Sequence, residues 1–185
     1  MSRGKLLAAL AWMAVGAVSA QAQQGPTVVI LVRHAEKGTV PANDPPLTDT
    51  GFARAKALVA ALADTHVDAV IATPTVRTRE TAREVAELRG LVIESVALGT
   101  KEEHARAVSD AVRRHAGQTV LVVGHSNTIP AIIGALGGPK LADLCDNQYS
   151  NLFTLILTPG RVQLIRGQYG MASPVPILDC GNPMR

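Results

Sequence analysis

Two histidines stand at matching places in this chain. The run Thr27-Val28-Val29-Ile30-Leu31-Val32 ends in Arg33-His34, and the run Thr119-Val120-Leu121-Val122-Val123 ends in Gly124-His125. Both runs are short, β-branched and unbroken, as are strands buried on both faces of a parallel sheet. In open α/β sheets ligands bind beyond the carboxyl ends of the strands. Two neighbouring strands would therefore present both imidazoles to one pocket. One ring could attack a phosphorus atom there while the other stabilises the charge that develops.

The remaining pattern alternates strand and helix, which predicts a three-layer α/β/α domain. Strands are expected over roughly 27–33, 68–73, 91–96, 119–124, 151–158 and 161–166. A helix should start near Thr48, a good N-cap, with Phe52, Ala55, Val59 and Leu62 on its apolar stripe and Arg54 and Lys56 off it. A second helix is expected over 76–88 with Ala82, Val85 and Leu88 on one side, stopped by Arg89-Gly90. A third is expected over 101–116, with Ala105, Val108, Val112 and His115 on one stripe. The segment 130–136 is apolar nearly all round, so that helix should be packed on both sides. Pro159-Gly160 predicts a tight hairpin between the last two strands.

Four stretches occur in order: Leu31-Val32-Arg33-His34-Ala35-Glu36-Lys37, Pro46-Leu47-Thr48-Asp49-Thr50-Gly51, Thr73-Pro74-Thr75-Val76-Arg77-Thr78-Arg79-Glu80-Thr81-Ala82 and Val122-Val123-Gly124-His125-Ser126-Asn127-Thr128. Together they resemble the histidine phosphatase superfamily, also called phosphoglycerate mutase-like, from about Pro26 to about Gly170. The resemblance implies a six-stranded mixed sheet with strand one beside strand four and strand five antiparallel. The gaps between motifs are short, so no large cap insertion and an open, shallow pocket are expected.

The resemblance also implies roles. His34 would be the nucleophile. A phosphoramidate on its ring is reactive enough for water to cleave, which divides one hard displacement into two easier ones. Arg33 and Arg77 would clamp the phosphoryl group with paired, charge-assisted hydrogen bonds, and Arg77 opens a helix whose N–H groups favour an anion. His125 would donate to a phosphoryl oxygen in the transition state. Lys37 and Asn127 are close enough in sequence to touch substrate, and Glu36 is expected to orient rather than to transfer protons. The leaving-group acid has no clear candidate. One branch of the superfamily carries an Asp straight after the second histidine, where this chain has Ser126. Mutases carry an Asn a few residues beyond the nucleophile, where this chain has Thr39-Val40, so mutase activity is not expected. Glu102 and Glu103 occupy the region where mutases carry their acid, but equally suit the first turn of a helix. Arg79 and Arg83 read as solvated helix charges, and His66, His104 and His115 as surface or core-edge residues. No cofactor and no metal are implied.

Arg3 and Lys5 precede an apolar run from Leu6 to Ala20, followed by Ala20-Gln21-Ala22, the pattern of a secretory signal peptide over residues 1–22. Cleavage is expected after Ala22, with Ala20 as the alternative. The run is about 15 residues, short of the roughly 20 that span a bilayer. Residues 23–185 then form one domain in a periplasmic or secreted protein, with no stable membrane anchor. The whole chain has 18 basic and 15 acidic residues, a net charge of +3. Loss of Arg3 and Lys5 leaves 16 against 15, or +1, so the charge balance gives no support for nucleic-acid binding, which needs a clustered basic face. Cys145 and Cys180 are the two cysteines, and after export they are a disulfide candidate. Two readings remain: an exported phosphatase acting on a small phosphorylated substrate, or a non-catalytic phosphate-binding or interaction module that keeps the pocket but lacks the acid.

Overall fold

The computed structural model describes residues 25–173. The leader assigned to residues 1–22 and Cys180 lie outside the described residues. In chain order the elements are β1 (Thr27–Arg33), α1 (Asp49–Ala61), β2 (Ala69–Ala72), α2 (Val76–Arg89), β3 (Ile93–Ser95), α3 (Lys101–Arg114), β4 (Thr119–Gly124), α4 (Thr128–Ala135), β5 (Asn151–Thr158) and β6 (Arg161–Gln168). The sheet order is β3-β2-β4-β1-β5-β6. β1 runs parallel to β4, in register from Val28 opposite Thr119 to Arg33 opposite Gly124, and antiparallel to β5. β5 and β6 form the predicted hairpin. No large cap insertion interrupts this six-stranded α/β/α fold.

Alternation along the central strands builds two cores. Ile30, Val32, Leu121 and Val123 pack with Leu58 of α1 and Ala82 and Val85 of α2. Val29, Leu31, Val120 and Val122 pack with Val108 and Val112 of α3 and Ile129, Ile132 and Ile133 of α4. Each fully buried branched side chain contributes about 1.5–3 kcal/mol, so the strands carrying the two histidines lie in the best-packed part of the molecule. No helix among the described residues is long and apolar enough to cross a membrane.

The inward face of α1 differs from the expected stripe. Gly51, Arg54, Ala55 and Leu58 are buried, while Phe52 is exposed. Thr48 caps the helix as predicted, its hydroxyl accepting from the Gly51 N–H at 3.2 Å. The rotation follows from a close approach: a Cβ on Gly51 would stand 2.2 Å from the Glu36 carbonyl oxygen. The first turn of α1 is thus pressed onto the chain just beyond β1, which turns Arg54 inward. Arg54 tolerates burial because Glu36 accepts from its Nε and Nη2 at 2.8–3.0 Å. Leu88 is also exposed, because Thr78, Thr81, Ala82, Val85 and Ala86 form the buried face of α2. α4 begins at Thr128 rather than at Pro130. Pro130 lies in its first turn, where a missing N–H removes no helical bond.

Candidate active site

The parallel register of β1 and β4 sets the two histidines side by side. The His34 N–H donates to the Gly124 carbonyl at 2.9 Å, one step beyond the strand ladder. The His34 and His125 rings meet edge to face, with centroids 5.4 Å apart. Gly124 lets α4 close on the strand end, since a Cβ there would meet Ile129 Cδ1 at 2.9 Å and Thr128 Oγ1 at 3.0 Å. Thr128 Oγ1 instead accepts from the His125 N–H at 2.9 Å.

His34 Nδ1 lies 2.8 Å from the Ala35 carbonyl oxygen. A carbonyl can only accept, so the proton sits on Nδ1 and Nε2 keeps its lone pair. Burial pushes the His34 imidazole down to about 3; the charges of Arg33, His125 and Arg77 act in the same direction, against the Ala35 carbonyl. His34 is therefore neutral at physiological pH. The loop beyond it is fixed from α2: the Ala35 N–H donates to Thr81 Oγ1 at 2.9 Å, and the Thr81 hydroxyl donates to the Arg77 carbonyl at 2.7 Å.

Two guanidinium groups flank the histidines. Arg33 Nη1 donates to the carbonyls of Cys145 and Asp146 at 2.8 and 3.0 Å, and its guanidinium lies 4.3 Å from the Tyr149 ring centre. Arg77 Nη1 donates to Asp44 Oδ1 at 3.3 Å. Asp44 also accepts from the Val76 N–H at 3.0 and 3.1 Å, so one loop carboxylate both caps α2 and steadies Arg77. The Nε atoms of Arg33 and Arg77 are buried without a protein partner. An unpaired buried donor is costly. Burial lowers the His125 imidazole to about 4, with Arg77, His104 and Arg33 adding to the effect and Asp44 opposing it.

Arg33, His34, Arg77 and His125 line one open cleft of about 520 Å³, together with Lys37, Asn127, Ser126, Thr128, Leu98, Gly99, Lys101 and Asp146. All four proposed catalytic residues and both candidate substrate contacts thus converge. Glu102 and Glu103 are not in the lining. Glu103 closes a capping box with Thr100 at the start of α3, and hydrogen bonds from the Thr100 backbone and hydroxyl hold its carboxyl below the usual range. Glu102 lines a separate groove between α3 and α4. The carboxylate in the cleft lining is Asp146, 3.6 Å from Arg33 Nη2. Glu36 faces Arg54 beneath the nucleophile loop, consistent with an orienting part.

Sequence reasoning missed Asp44, Thr73, Arg54 and Asp146, short-range motifs giving no hint of their distant partners. It also placed His104 at the surface or core edge. His104 is buried, its Nδ1–H donating to the Ala97 carbonyl at 2.9 Å. Arg79 and Arg83 are exposed, as expected. No group of three or more His, Cys, Asp or Glu among the described residues is placed to hold a metal ion.

Comparison with known proteins agrees with this geometry. A family model described as "Histidine phosphatase superfamily (branch 1)" matches residues 29–98, from β1 to the rim of the cleft at Leu98. Phosphoserine phosphatase 1 of Hydrogenobacter thermophilus is 28% identical over 173 residues, covering 64% of this chain and 82% of that protein. Among solved structures, YhfR of Bacillus stearothermophilus aligns with a TM-score of 0.60 at 18% identity, over 75% of this chain and 95% of that one. The protein histidine phosphatase SixA complexed with tungstate aligns with a TM-score of 0.60 at 18% identity, over 76% and 96%. With paired histidines at adjacent strand ends and two arginines beside them, and a family model that spans His34 and both arginines, the chain is similar to the histidine phosphatase superfamily over residues 29–98.

Proposed function

We propose that this phosphatase is exported to the periplasm or beyond and hydrolyses a small phosphomonoester or phosphoramidate through a phosphoryl group carried on His34. The observation that carries this reading is the protonation of His34. Its Nδ1–H is committed to the Ala35 carbonyl, which leaves the Nε2 lone pair to attack phosphorus. A P–N bond forms as the bond to the leaving group breaks. Water then attacks phosphorus, the P–N bond breaks, and neutral His34 returns with inorganic phosphate as product. The Nδ1–H bond to Ala35 steadies the positive ring that exists while phosphorus is attached. Arg33 and Arg77 bring fixed positive charge to the phosphoryl oxygens, the kind of preorganised stabilisation that often supplies the largest catalytic contribution.

The names of the relatives suggest phosphoserine and phosphohistidine as substrates to try first. Acid quench during turnover should trap an acid-labile phosphoryl group on the wild type and none on a folded His34→Ala protein, which should also lose turnover. Normal turnover by His34→Ala, or a label that resists acid, would overturn the mechanism. Phosphate binding without turnover of an activated aryl phosphate would favour the non-catalytic module instead.

A further inference from the structure

Behind His125 lies a cluster of three threonine hydroxyls with a defined direction. Thr73 Oγ1 stands 3.0 Å from His125 Nε2 and 2.8 Å from Thr78 Oγ1. Thr73 and Thr78 are fully buried. The Thr78 hydroxyl is placed to donate to the backbone carbonyls of Thr73 and Thr75 at 2.9 and 3.0 Å. Carbonyls cannot donate in return, so the Thr78 proton is committed there. The proton within the short Thr73–Thr78 contact must then come from Thr73, which leaves Thr73 Oγ1 as an acceptor towards His125 Nε2–H. Thr75 Oγ1, 3.1 Å from Thr73 Oγ1 and 3.0 Å from Thr78 Oγ1, can donate to either without reversing that order. The opposite side of the ring agrees. His125 Nδ1 faces Arg77 Nη2 at 3.5 Å, and a guanidinium nitrogen only donates, so Nδ1 carries the lone pair.

We propose that Thr73, backed by Thr78, is a positioning residue that holds His125 with its proton on Nε2 and a lone pair on Nδ1 facing the cleft, so that the site takes its phosphoryl group in together with one proton. This rests on reading the cleft as a phosphoryl site. A lone pair facing a phosphoryl oxygen is repulsive until a proton lies between them. That proton arrives either as P–OH on a monoanionic substrate or from solvent; in both cases Nδ1 and one phosphoryl oxygen share it, and no other bond changes. The charged and titratable groups facing His125 are Arg77 from α2, Arg33 and His34 from the end of β1, His104 from α3 and Asp44 from the loop before α1. The cleft lining offers no carboxylic acid except Asp146, which is beside Arg33.

Two readouts test this without turnover. Nitrogen-15 NMR of the free wild type should show His125 protonated on Nε2 and bare on Nδ1. Calorimetry with phenylphosphonate, which is not hydrolysed and whose dianion carries no P–OH, in buffers of different ionisation enthalpy at about pH 9, should show uptake of about one proton on binding. His34→Ala should keep that uptake. Thr73→Val should release the ring to the other tautomer and reduce the uptake several-fold, while Thr73→Ser should restore both signals. A free wild type carrying the His125 proton on Nδ1, or unchanged uptake in Thr73→Val, would overturn the assignment. Failure of phenylphosphonate to bind at all would count against the phosphatase reading, while the NMR tautomer decides the Thr73 assignment by itself.

Discussion

At the scale of single residues, the site places cations and neutral imidazoles around a phosphoryl position but offers little acid. Glu103 is occupied in capping α3, Glu102 borders another groove, and the exposed Asp146 carboxylate is paired with Arg33 Nη2 at 3.6 Å. Departure of the leaving group should then depend on its own stability. Aryl phosphates and phosphoramidates are expected to turn over faster than alkyl phosphates by about 10²–10⁴-fold, the usual contribution of a general acid. Glu102→Gln and Glu103→Gln should change kcat little on either class. Steady-state kinetics on matched aryl and alkyl esters checks this, and a selective loss of alkyl-ester turnover in either variant would make that residue the acid. The residues that could be read from the chain, His34, Arg33, Arg77 and His125, were legible because each sits in a local motif at a strand end or helix start. Asp44 and Thr73 were not. Each is a short polar side chain whose partners lie about 30–50 residues away, and no local pattern encodes such a contact.

At the scale of elements, a strand is easier to read than the rotation of a helix. β1 and β4 were legible because their apolar runs are continuous, and a strand buried on both faces has no face to choose. α1 had a choice, and tertiary contacts decided it. The Gly51 approach to Glu36 and the Arg54–Glu36 pair set which side faces in, although Arg54 has no place on an apolar stripe. The same contact makes α1 part of the site's support. The Thr48 N–H donates to the Glu36 carbonyl at 3.0 Å, only two residues from the nucleophile. Gly51→Ala should push the Glu36 loop away from α1, because the added methyl meets backbone rather than a flexible side chain. Destabilisation by about 1–3 kcal/mol is expected, as for other overpacked sites. kcat should fall as His34 loses its alignment. Urea unfolding together with kinetics on the folded fraction tests this; a variant with unchanged stability and kcat would mean that the helix can slide without moving the nucleophile.

At the scale of the whole molecule, the neutral buried histidines make stability depend on pH. His34 and His125 have folded-state values of about 3 and about 4, against roughly 6.5 in an unfolded chain. Between those values the unfolded chain binds more protons, so stability falls as pH drops below about 6.5, with no such loss above it. Each histidine should contribute a slope of up to about 1.4 kcal/mol per pH unit. The gap between urea midpoints at neutral pH and about two units lower should narrow in a His34→Gln variant, with the His125 share remaining; equal acid sensitivity in wild type and variant would show that other groups govern the loss. A second global constraint follows from the export proposal. In an oxidising compartment Cys145 and Cys180 would be joined, closing a loop of about 36 residues worth roughly 3–4 kcal/mol in the chain-entropy account. The consequence would reach the site, because the Cys145 carbonyl accepts from Arg33 Nη1 and Asp146 follows it. Reduction should therefore loosen the segment that seats Arg33, raising KM for a phosphate ester several-fold while leaving kcat less affected. Thiol titration of the unfolded, unreduced protein establishes whether the bond exists, and kinetics before and after reduction read its effect. Two free thiols would remove the bond from the account. An intact bond whose reduction leaves KM unchanged would show that Tyr149 stacking and the rest of the sheet hold Arg33 without it.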